Sequence, residues 1–290
     1  MTTKPYIGIN DKAQKLAKMY VGVDGVAKKV KKGYIGVDGI ARLFFTSAAP
    51  VNAMAISYTG NHTDEVVTMG NGKKYRLLTL TSSGTLSLEN EVDAEIWVCN
   101  GGAKGGDTTS ESAGDGGAGG AFCNVAATIP KSSTVVVGAA AGTSSISSVT
   151  LSNWISGSGG GGGAVEINEY NGTAGIGGTK AGGDTRPFGD SYYTKYPCAG
   201  GGGGSVFCTS TGYGGGAGGS STAAGAAGGT DHKNNSNGGV TGGGKGAGFN
   251  ADATAGSYYG SGGGGGCTSA YYMTGKSGYQ GLCVIRIPIE

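Results

Sequence analysis

Glycine divides this chain into two regimes. Residues 1–100 hold ten glycines and residues 101–290 hold the other 55 of 65, so the second region is 55/190, about 29 per cent, glycine. Ordinary proteins carry about 7 per cent. Glycine has no side chain to bury and loses more backbone entropy on ordering than any other residue. A conventional side-chain core is therefore hard to build there, and any order has to come from the main chain. Charged residues make up only 14 per cent, with a formal net charge of +2, which does not suit a highly charged disordered chain. Nor is there an apolar run of about eighteen residues that would span a membrane as a helix.

The N-terminal region repeats with a period of fourteen: YIGINDKAQKLAKM from Tyr6, YVGVDGVAKKVKKG from Tyr20 and YIGVDGIARLFF from Tyr34. Each unit opens with a short apolar strand. The second and third continue with Asp24-Gly25 and Asp38-Gly39, the pair favoured in two-residue type I′ hairpin turns. A small β-repeat meander over residues 1–47 is the expectation. This region is basic: nine Lys or Arg against three Asp in residues 1–45, net +6, leave 12 basic and 16 acidic residues, net −4, in the remainder. Lysines on exposed strand edges prevent unwanted pairing, and Lys12, Lys15, Lys18, Lys28, Lys29, Lys31 and Lys32 are read that way rather than as a patch for nucleic-acid or lipopolysaccharide phosphate. So short a meander buries little alone and is expected to dock on a partner or on copies of itself.

After Ala48-Ala49-Pro50, residues 51–100 read as a β-platform. Leu78, Leu80, Leu86 and Leu88 alternate with Thr or Ser, the period-two pattern of strands with one buried face. EIWVCN then runs into Gly101-Gly102. Further β-rich segments are AFCNVAATIP (121–130), STVVVGA (133–139), ISSVTLSNWI (146–155), AVEINEY (164–170) and GLCVIRIPIE (281–290). The last is expected to tie back beside EIWVC and close the domain.

Between them lie short glycine blocks at 101–106, 114–120, 159–163, 175–183, 200–204, 214–219, 238–248 and 262–266. No Gly-X-Y register survives and there are only six prolines, so this is not collagen. In polyproline-II geometry, at about 3.1 Å per residue, five glycines span roughly 15 Å. Blocks of similar length can lie side by side and pair their outward-pointing N–H and C=O groups, provided no Cβ intrudes. The fold expected is all-β and irregular: the N-terminal meander, the β-platform, and a polyglycine-II helix sandwich over 101–290 closed by the C-terminal strand. Ala118, Ala217, Lys245 and Ala247 are expected to face outward at the rim, with uninterrupted runs inside.

Enzymatic constellations are missing. Only His62 and His232 exist, and neither a G-x-S-x-G elbow nor an H-E-x-x-H helix occurs, so no catalytic residue, metal or cofactor is expected. GGGKGAG (242–248) lacks the Lys-Ser/Thr of a phosphate loop. Glu166 and Glu169, or Asp184 and Asp190, form carboxylate pairs of the kind glycosidases use, but solvated loop positions account for them. Cys99, Cys123, Cys198, Cys208, Cys267 and Cys283 show no C-x-x-C spacing and are expected to be reduced, partly buried thiols. No apolar secretory segment follows Met1, so synthesis in a cytoplasm is expected.

Binding chemistry is better represented. Many of the fifteen tyrosines cluster in spacers between glycine blocks: RPFGDSYYTKYP (186–197), SVFCTSTGY (205–213), FNADATAGSYYG (249–260) and TSAYYMTG (268–275). Tyrosine gives rigid contact area with a polar tip and is a common recognition residue beside serine, glycine and asparagine. Candidate recognition residues are Phe188, Tyr192, Tyr193, Tyr196, Phe207, Tyr258, Tyr259, Tyr271 and Tyr272, with His232 in the polar DHKNNSN segment (231–237). Capping glycine segments or filling a small core is the alternative role for these rings.

EIWVCNGG, GGAFCNVAATIP followed by STVVVGA, and a closing GYQGLCVIRIP together resemble the glycine-rich domain of bacteriophage tail-fibre and receptor-binding tip adhesins. Gly278, Gly281, Leu282, Val284, Ile285 and Arg286 match the family's ending, with Cys283 where a β-branched residue is usual. The resemblance covers roughly residues 75–290. It implies a polyglycine-II sandwich whose inter-helix loops bind a bacterial surface glycan or protein. The YIGVDG repeats look like those at the front of tail proteins and imply attachment to other tail or baseplate proteins. A virion location, several copies per particle with a homotrimer as one arrangement, and no nucleic-acid partner follow. A purely structural tail protein and a glycan-cleaving tail spike are the alternatives.

Overall fold

The computed structural model divides the chain into two compact units, Met1–Met54 and Ala55–Glu290. It describes residues 54–108, 113–155, 184–204, 242–247, 252–266 and 274–289 in full and, outside them, the backbone of ten short strands. The described residues are mostly β and contain no α-helix; one 3-10 turn occurs at Pro187–Gly189.

In the first unit β1 (Tyr6–Ile9), β2 (Lys12–Lys15), β3 (Tyr20–Val23), β4 (Val26–Lys29), β5 (Lys32–Val37) and β6 (Ile40–Thr46) pair as three antiparallel hairpins. Val23 pairs with Val26 and Val37 with Ile40, a register that leaves two residues between the strands, as expected for Asp-Gly hairpins; the Asp-Gly pairs themselves lie outside the described residues. In each copy the repeat's glycine stands opposite an alanine: Gly8 with Ala13, Gly22 with Ala27, Gly36 with Ala41. Among the described residues the hairpins form three two-stranded sheets. The second strands carry Lys12 and Lys15 in β2, and Lys28 and Lys29 in β4. Like charges across a pair are unfavourable and edge lysines resist added strands.

The second unit contains β7 (Ile56–Tyr58), β8 (His62–Thr68), β9 (Lys74–Leu80), β10 (Gly84–Leu88), β11 (Val92–Cys99), β12 (Phe122–Ile129), β13 (Ser132–Val136) and β14 (Ser145–Ile146). After two short pairs, β15 (Ala164–Val165) with β16 (Gly172–Thr173) and β17 (Val206–Phe207) with β18 (Gly212–Tyr213), it ends in β19 (Leu282–Pro288). Two antiparallel sheets result, ordered β12-β11-β19-β9-β8 and β14-β13-β10-β7. The C-terminal strand lies between β11 and β9, with Trp97 opposite Val284 and Leu78 opposite Ile285. Strands from before and after residue 100 share both sheets.

The central strands are apolar on both faces. Leu77, Trp97, Cys99, Leu282 and Val284 are buried on one side, and Leu78, Leu80, Ile96, Val98, Cys283 and Ile285 on the other. This corrects the expectation of a single buried face for Leu78 and Leu80: a strand covered on both sides reads as a continuous apolar run, here Leu77-Leu78. Tyr58 of β7 lies near Cys283, and burial pushes its phenol pKa up to about 12. The expected strand over 146–155 is reduced to β14 and a lone bridge between Phe122 and Ile155. Ser148 and Asn153 take φ of 67° and 58°, left-handed conformations that interrupt an extended chain.

The described glycine segments belong to neither sheet, yet their main chain is densely paired. Around residues 261–266 every N–H from Gly262 to Gly266 donates outward, to the carbonyls of Ala199, Ala103, Thr254, Gly202 and Gly106, at 2.8–3.0 Å. Every carbonyl from Ser261 to Gly266 accepts in turn, from Tyr279, Gly244, Gly117, Lys276, Ala247 and Gly114. Neighbours recur every third residue: Ala199 and Gly202, Ala103 and Gly106, Gly244 and Ala247, Gly117 and Gly114, Tyr279 and Lys276. Six segments thus surround the seventh.

They also bond to one another around the ring, through Ala103 to Ala118, Gly201 to Gly117, Gly202 to Gly244, Thr254 to Lys245, Gly256 to Ser277 and Gly105 to Lys276. A Cβ added to Gly262, Gly263, Gly264 or Gly265 would overlap the carbonyl oxygens of Gly117, Lys276, Lys245 or Gly114 respectively. The expectation of an outward Ala247 is corrected: it is 0 % exposed and packs with Ala253, a methyl pair filling a gap between neighbouring segments. Lys245 is exposed and Ala118 half-buried; Ala217 lies outside the described residues.

Candidate functional site

The segment 184–198 crosses the Trp97 face of the five-stranded sheet. It starts with a local clamp, in which the Asp184 carboxylate accepts hydrogen bonds from the backbone N–H, Nε and Nη2 of Arg186. Burial alone would raise the Asp184 pKa, but these hydrogen bonds outweigh it and hold the carboxyl below its ordinary range. The Arg186 guanidinium in turn stands 5.1 Å over the Tyr196 ring. Pro187 is suited to start the 3-10 turn because its φ is preset. Phe188 within that turn adopts φ 58°, which directs its ring onto Arg286.

Arg286 of β19 is the anchor. Its guanidinium lies 4.1 Å from the Phe188 ring centroid and 4.8 Å from that of Tyr75. Nε and Nη2 donate to Glu95 of β11 at 3.0 and 2.5 Å, while Nη1 is 3.6 Å from buried Asp190. Asp190 also accepts from the backbone N–H of Gly70 at 2.7 Å and of Tyr192 at 2.9 Å. One cation therefore fastens the segment to two strands, and Asp190 fastens it to the turn between β8 and β9. Stacking on two aromatic faces while Nε and Nη2 converge on one Glu95 oxygen, Oε2, is what a planar guanidinium does and an ammonium does not.

An aromatic band continues from this anchor. Tyr192 and Tyr193 meet edge to face at 5.1 Å, Tyr258 and Tyr259 at 5.2 Å, and Tyr259 and Tyr279 at 5.7 Å. The Lys195 ammonium is 5.2 Å from the Tyr258 ring. Burial pushes the Tyr193 phenol far above its ordinary pKa and also raises Tyr258 and Tyr259. A shallow recess of about 190 Å³, lined by Glu95, Asn124, Val125, Ala126 and Phe188, opens beside the anchor.

The sequence candidates separate by role. Phe188, Tyr193 and Tyr259 pack against the core cluster of Leu77, Trp97, Cys99, Phe122, Cys198, Leu282 and Val284. Tyr196 and Tyr258 are half-buried under cations, and Tyr192 is 39 % exposed. Phe207 pairs with Gly212 in β17–β18, where only the backbone is described. His232, Tyr271 and Tyr272 lie outside the described residues, as do Glu166 and Glu169.

Sequence reasoning missed Tyr279, 40 % exposed at the end of the band, and Trp154, 37 % exposed. The first sits inside the closing motif and the second inside an expected strand. Sequence reasoning likewise saw Arg286 only as part of a motif. Among the described residues no group of three or more His, Cys, Asp and Glu is arranged to hold a metal ion. No protein-family model matches the chain, and no curated protein is significantly similar to it in sequence.

Proposed function

We propose that this protein is a tail adhesin of a phage or phage-like particle. Residues 1–47 attach it to other tail or baseplate proteins, and loops carried on a polyglycine-II scaffold recognise a bacterial surface glycan or protein. The chain is made in the bacterial cytoplasm and acts in the virion, without enzymatic activity. The observation that carries the reading is the seven-segment arrangement around 261–266, with three-residue recurrence and six hydrogen-bonded neighbours. Three residues per turn is the polyproline-II period, and all-round lateral pairing is available to it only where side chains are missing. It supports the scaffold expected from the resemblance to tip adhesins. Exposed Tyr192, Lys195 and Tyr279 on the band suit a recognition surface, because aromatic rings with polar tips bind at low entropic cost.

The test is binding of the labelled full-length protein to a panel of Gram-positive and Gram-negative cells. Saturable binding to particular strains is expected. A Tyr192→Ala, Tyr279→Ala double variant should lose at least tenfold in affinity, about 1.4 kcal/mol, with each exposed substitution changing stability by about 0.5 kcal/mol or less. Binding to no strain, or reducing sugar released from the cells, would overturn the adhesin in favour of a structural protein or a spike.

A further inference from the structure

The four described cysteines, Cys99, Cys123, Cys198 and Cys283, are free thiols and fully buried, more so than expected. Strand register sorts them. Cys123 and Cys283 both stand opposite Val98, from the two sides of β11. With a whole strand between them they are about 9–10 Å apart, beyond the roughly 7 Å Cα separation that a disulfide tolerates. Cys99 follows Val98, so it points to the opposite face of the sheet from both.

On that face Cys99 meets Cys198. Both thiols belong to the Trp97 cluster, and a Cβ on Gly260 would lie 2.8 Å from the Cys198 sulfur and 3.3 Å from the Cys99 sulfur, so the two sulfurs are within about 6 Å of each other. Cys198 holds φ 63°, a conformation that costs a residue with a Cβ about 1–2 kcal/mol. Its N–H is fixed to the Tyr259 carbonyl at 3.0 Å. Among the described residues no third His, Cys, Asp or Glu joins the pair to form a metal-binding group.

We propose that Cys99 and Cys198 are a disulfide-forming pair, which a low-molecular-weight disulfide such as oxidised glutathione converts to a covalent link between the end of β11 and the root of the glycine segment 199–204. Cys198 loses its proton to solvent and its thiolate attacks one sulfur of the oxidant; the oxidant's S–S bond breaks and one small thiolate leaves and takes up a proton from solvent. Cys99 then loses its proton to solvent and attacks the Cys198 sulfur of the mixed disulfide, expelling the second thiolate. Two protein thiols are oxidised and one small disulfide is reduced to two thiols. Burial, followed by the Cys198 contact, holds the Cys99 thiol well above its ordinary pKa. Attack in the closed fold is therefore slow at neutral pH and speeds up as pH rises. The chemistry does not depend on the adhesin role, although a chain that leaves a reducing cytoplasm meets oxidising conditions outside it.

The full-length chain is refolded in a glutathione redox buffer, and the native chain is incubated in the same buffer; both are alkylated and mapped by peptide mass spectrometry. A Cys99–Cys198 linked peptide is expected in both, faster at pH 9 than at pH 7. The oxidised protein should melt about 5–10 °C above the same protein in reductant. Cys123→Ser should leave the link intact and Cys198→Ser should abolish it. The map of the unaltered chain decides the matter even where a variant fails to fold. Both thiols still alkylatable after oxidative refolding, or either one joined to Cys123, Cys208, Cys267 or Cys283, would overturn the proposal.

Discussion

The sheets and the glycine segments of the second unit reach order with opposite materials. Strands β9, β11 and β19 are held by side chains, with Leu77, Leu78, Trp97, Val98, Val284 and Ile285 buried on two faces. The segments around 261–266 are held by main chain, with every donor and acceptor there bonded to a neighbour. A buried leucine contributes through area removed from water, about 25 cal/mol per Å². A backbone hydrogen bond contributes about 1 kcal/mol net, no more than the entropy of fixing the residue that makes it. The glycine segments therefore need the sheet: residues 101–106 continue directly from β11, residues 274–280 lead into β19, and those two strands pair with each other. In the sheets, information lies in which side chain is present. Among the glycine segments it lies in the absence of any.

The largest expected effect follows from that contrast. Gly264→Ala adds one methyl, which would overlap the Lys245 carbonyl and push apart segments bonded through Gly264 to Thr254 and Lys276. Leu86→Ala removes a fully buried side chain from the four-stranded sheet and should cost about 2–5 kcal/mol. In paired urea titrations Gly264→Ala should cost more than Leu86→Ala, up to loss of the cooperative transition. A cost below about 1 kcal/mol would mean that the glycine segments do not pack as described and would break the comparison.

Arg286 sits where the two materials meet, and its loss should rank next. Arg286→Met leaves Asp190 buried without its cation, a defect of about 3 kcal/mol. Arg286→Lys keeps the charge but loses the paired donors to Glu95 Oε2 and the stacking on Phe188 and Tyr75. Both should make the backbone between residues 184 and 198 exchange amide hydrogens faster than β11 does, with Arg286→Met the more severe. Unchanged protection in that segment would assign its anchoring to packing alone.

Those residues also mark what the sequence discloses. Period-two and β-branched runs placed β12 and the closing strand β19 within a residue or two, because strand side chains carry their own pattern. The Asp-Gly pairs marked where the strands of the second and third hairpins meet, at Val23 and Val26 and at Val37 and Ile40, for the same local reason. Which strands are covered on both faces was not legible, since the covering segment 184–198 lies about a hundred residues from β9 and β11. Glycine carries no side-chain pattern, so the partners of Gly262–Gly266 are fixed only by the three-dimensional arrangement. At the site, the aromatic spacers were visible as composition. Division into core rings, Phe188, Tyr193 and Tyr259, and exposed ones, Tyr192 and Tyr279, depends on contacts that no spacing encodes.

The smallest effect separates the two materials by titration. The sheet core holds groups that ionise only with difficulty: burial raises Tyr58 from 10.0 to about 12 and Cys123 from 9.0 to about 11, and moves Cys283 higher still. In each case the folded state keeps a proton that the unfolded chain gives up. Stability from these groups is therefore complete below about pH 9 and declines as pH rises through 11 to 12. The glycine segments at 261–266 contain no ionisable side chain and cannot contribute to the decline. A melting temperature followed from pH 7 to 11 in reductant should stay level to about pH 9 and then fall by a few degrees. Cys123→Ala should flatten the first part of that fall, and Gly264→Ala, if it folds, should lower the whole curve without changing its shape. A level curve through pH 11 would mean that these thiols and the Tyr58 phenol reach water in the folded state, and the division between a side-chain core and a main-chain lattice would then be drawn in the wrong place.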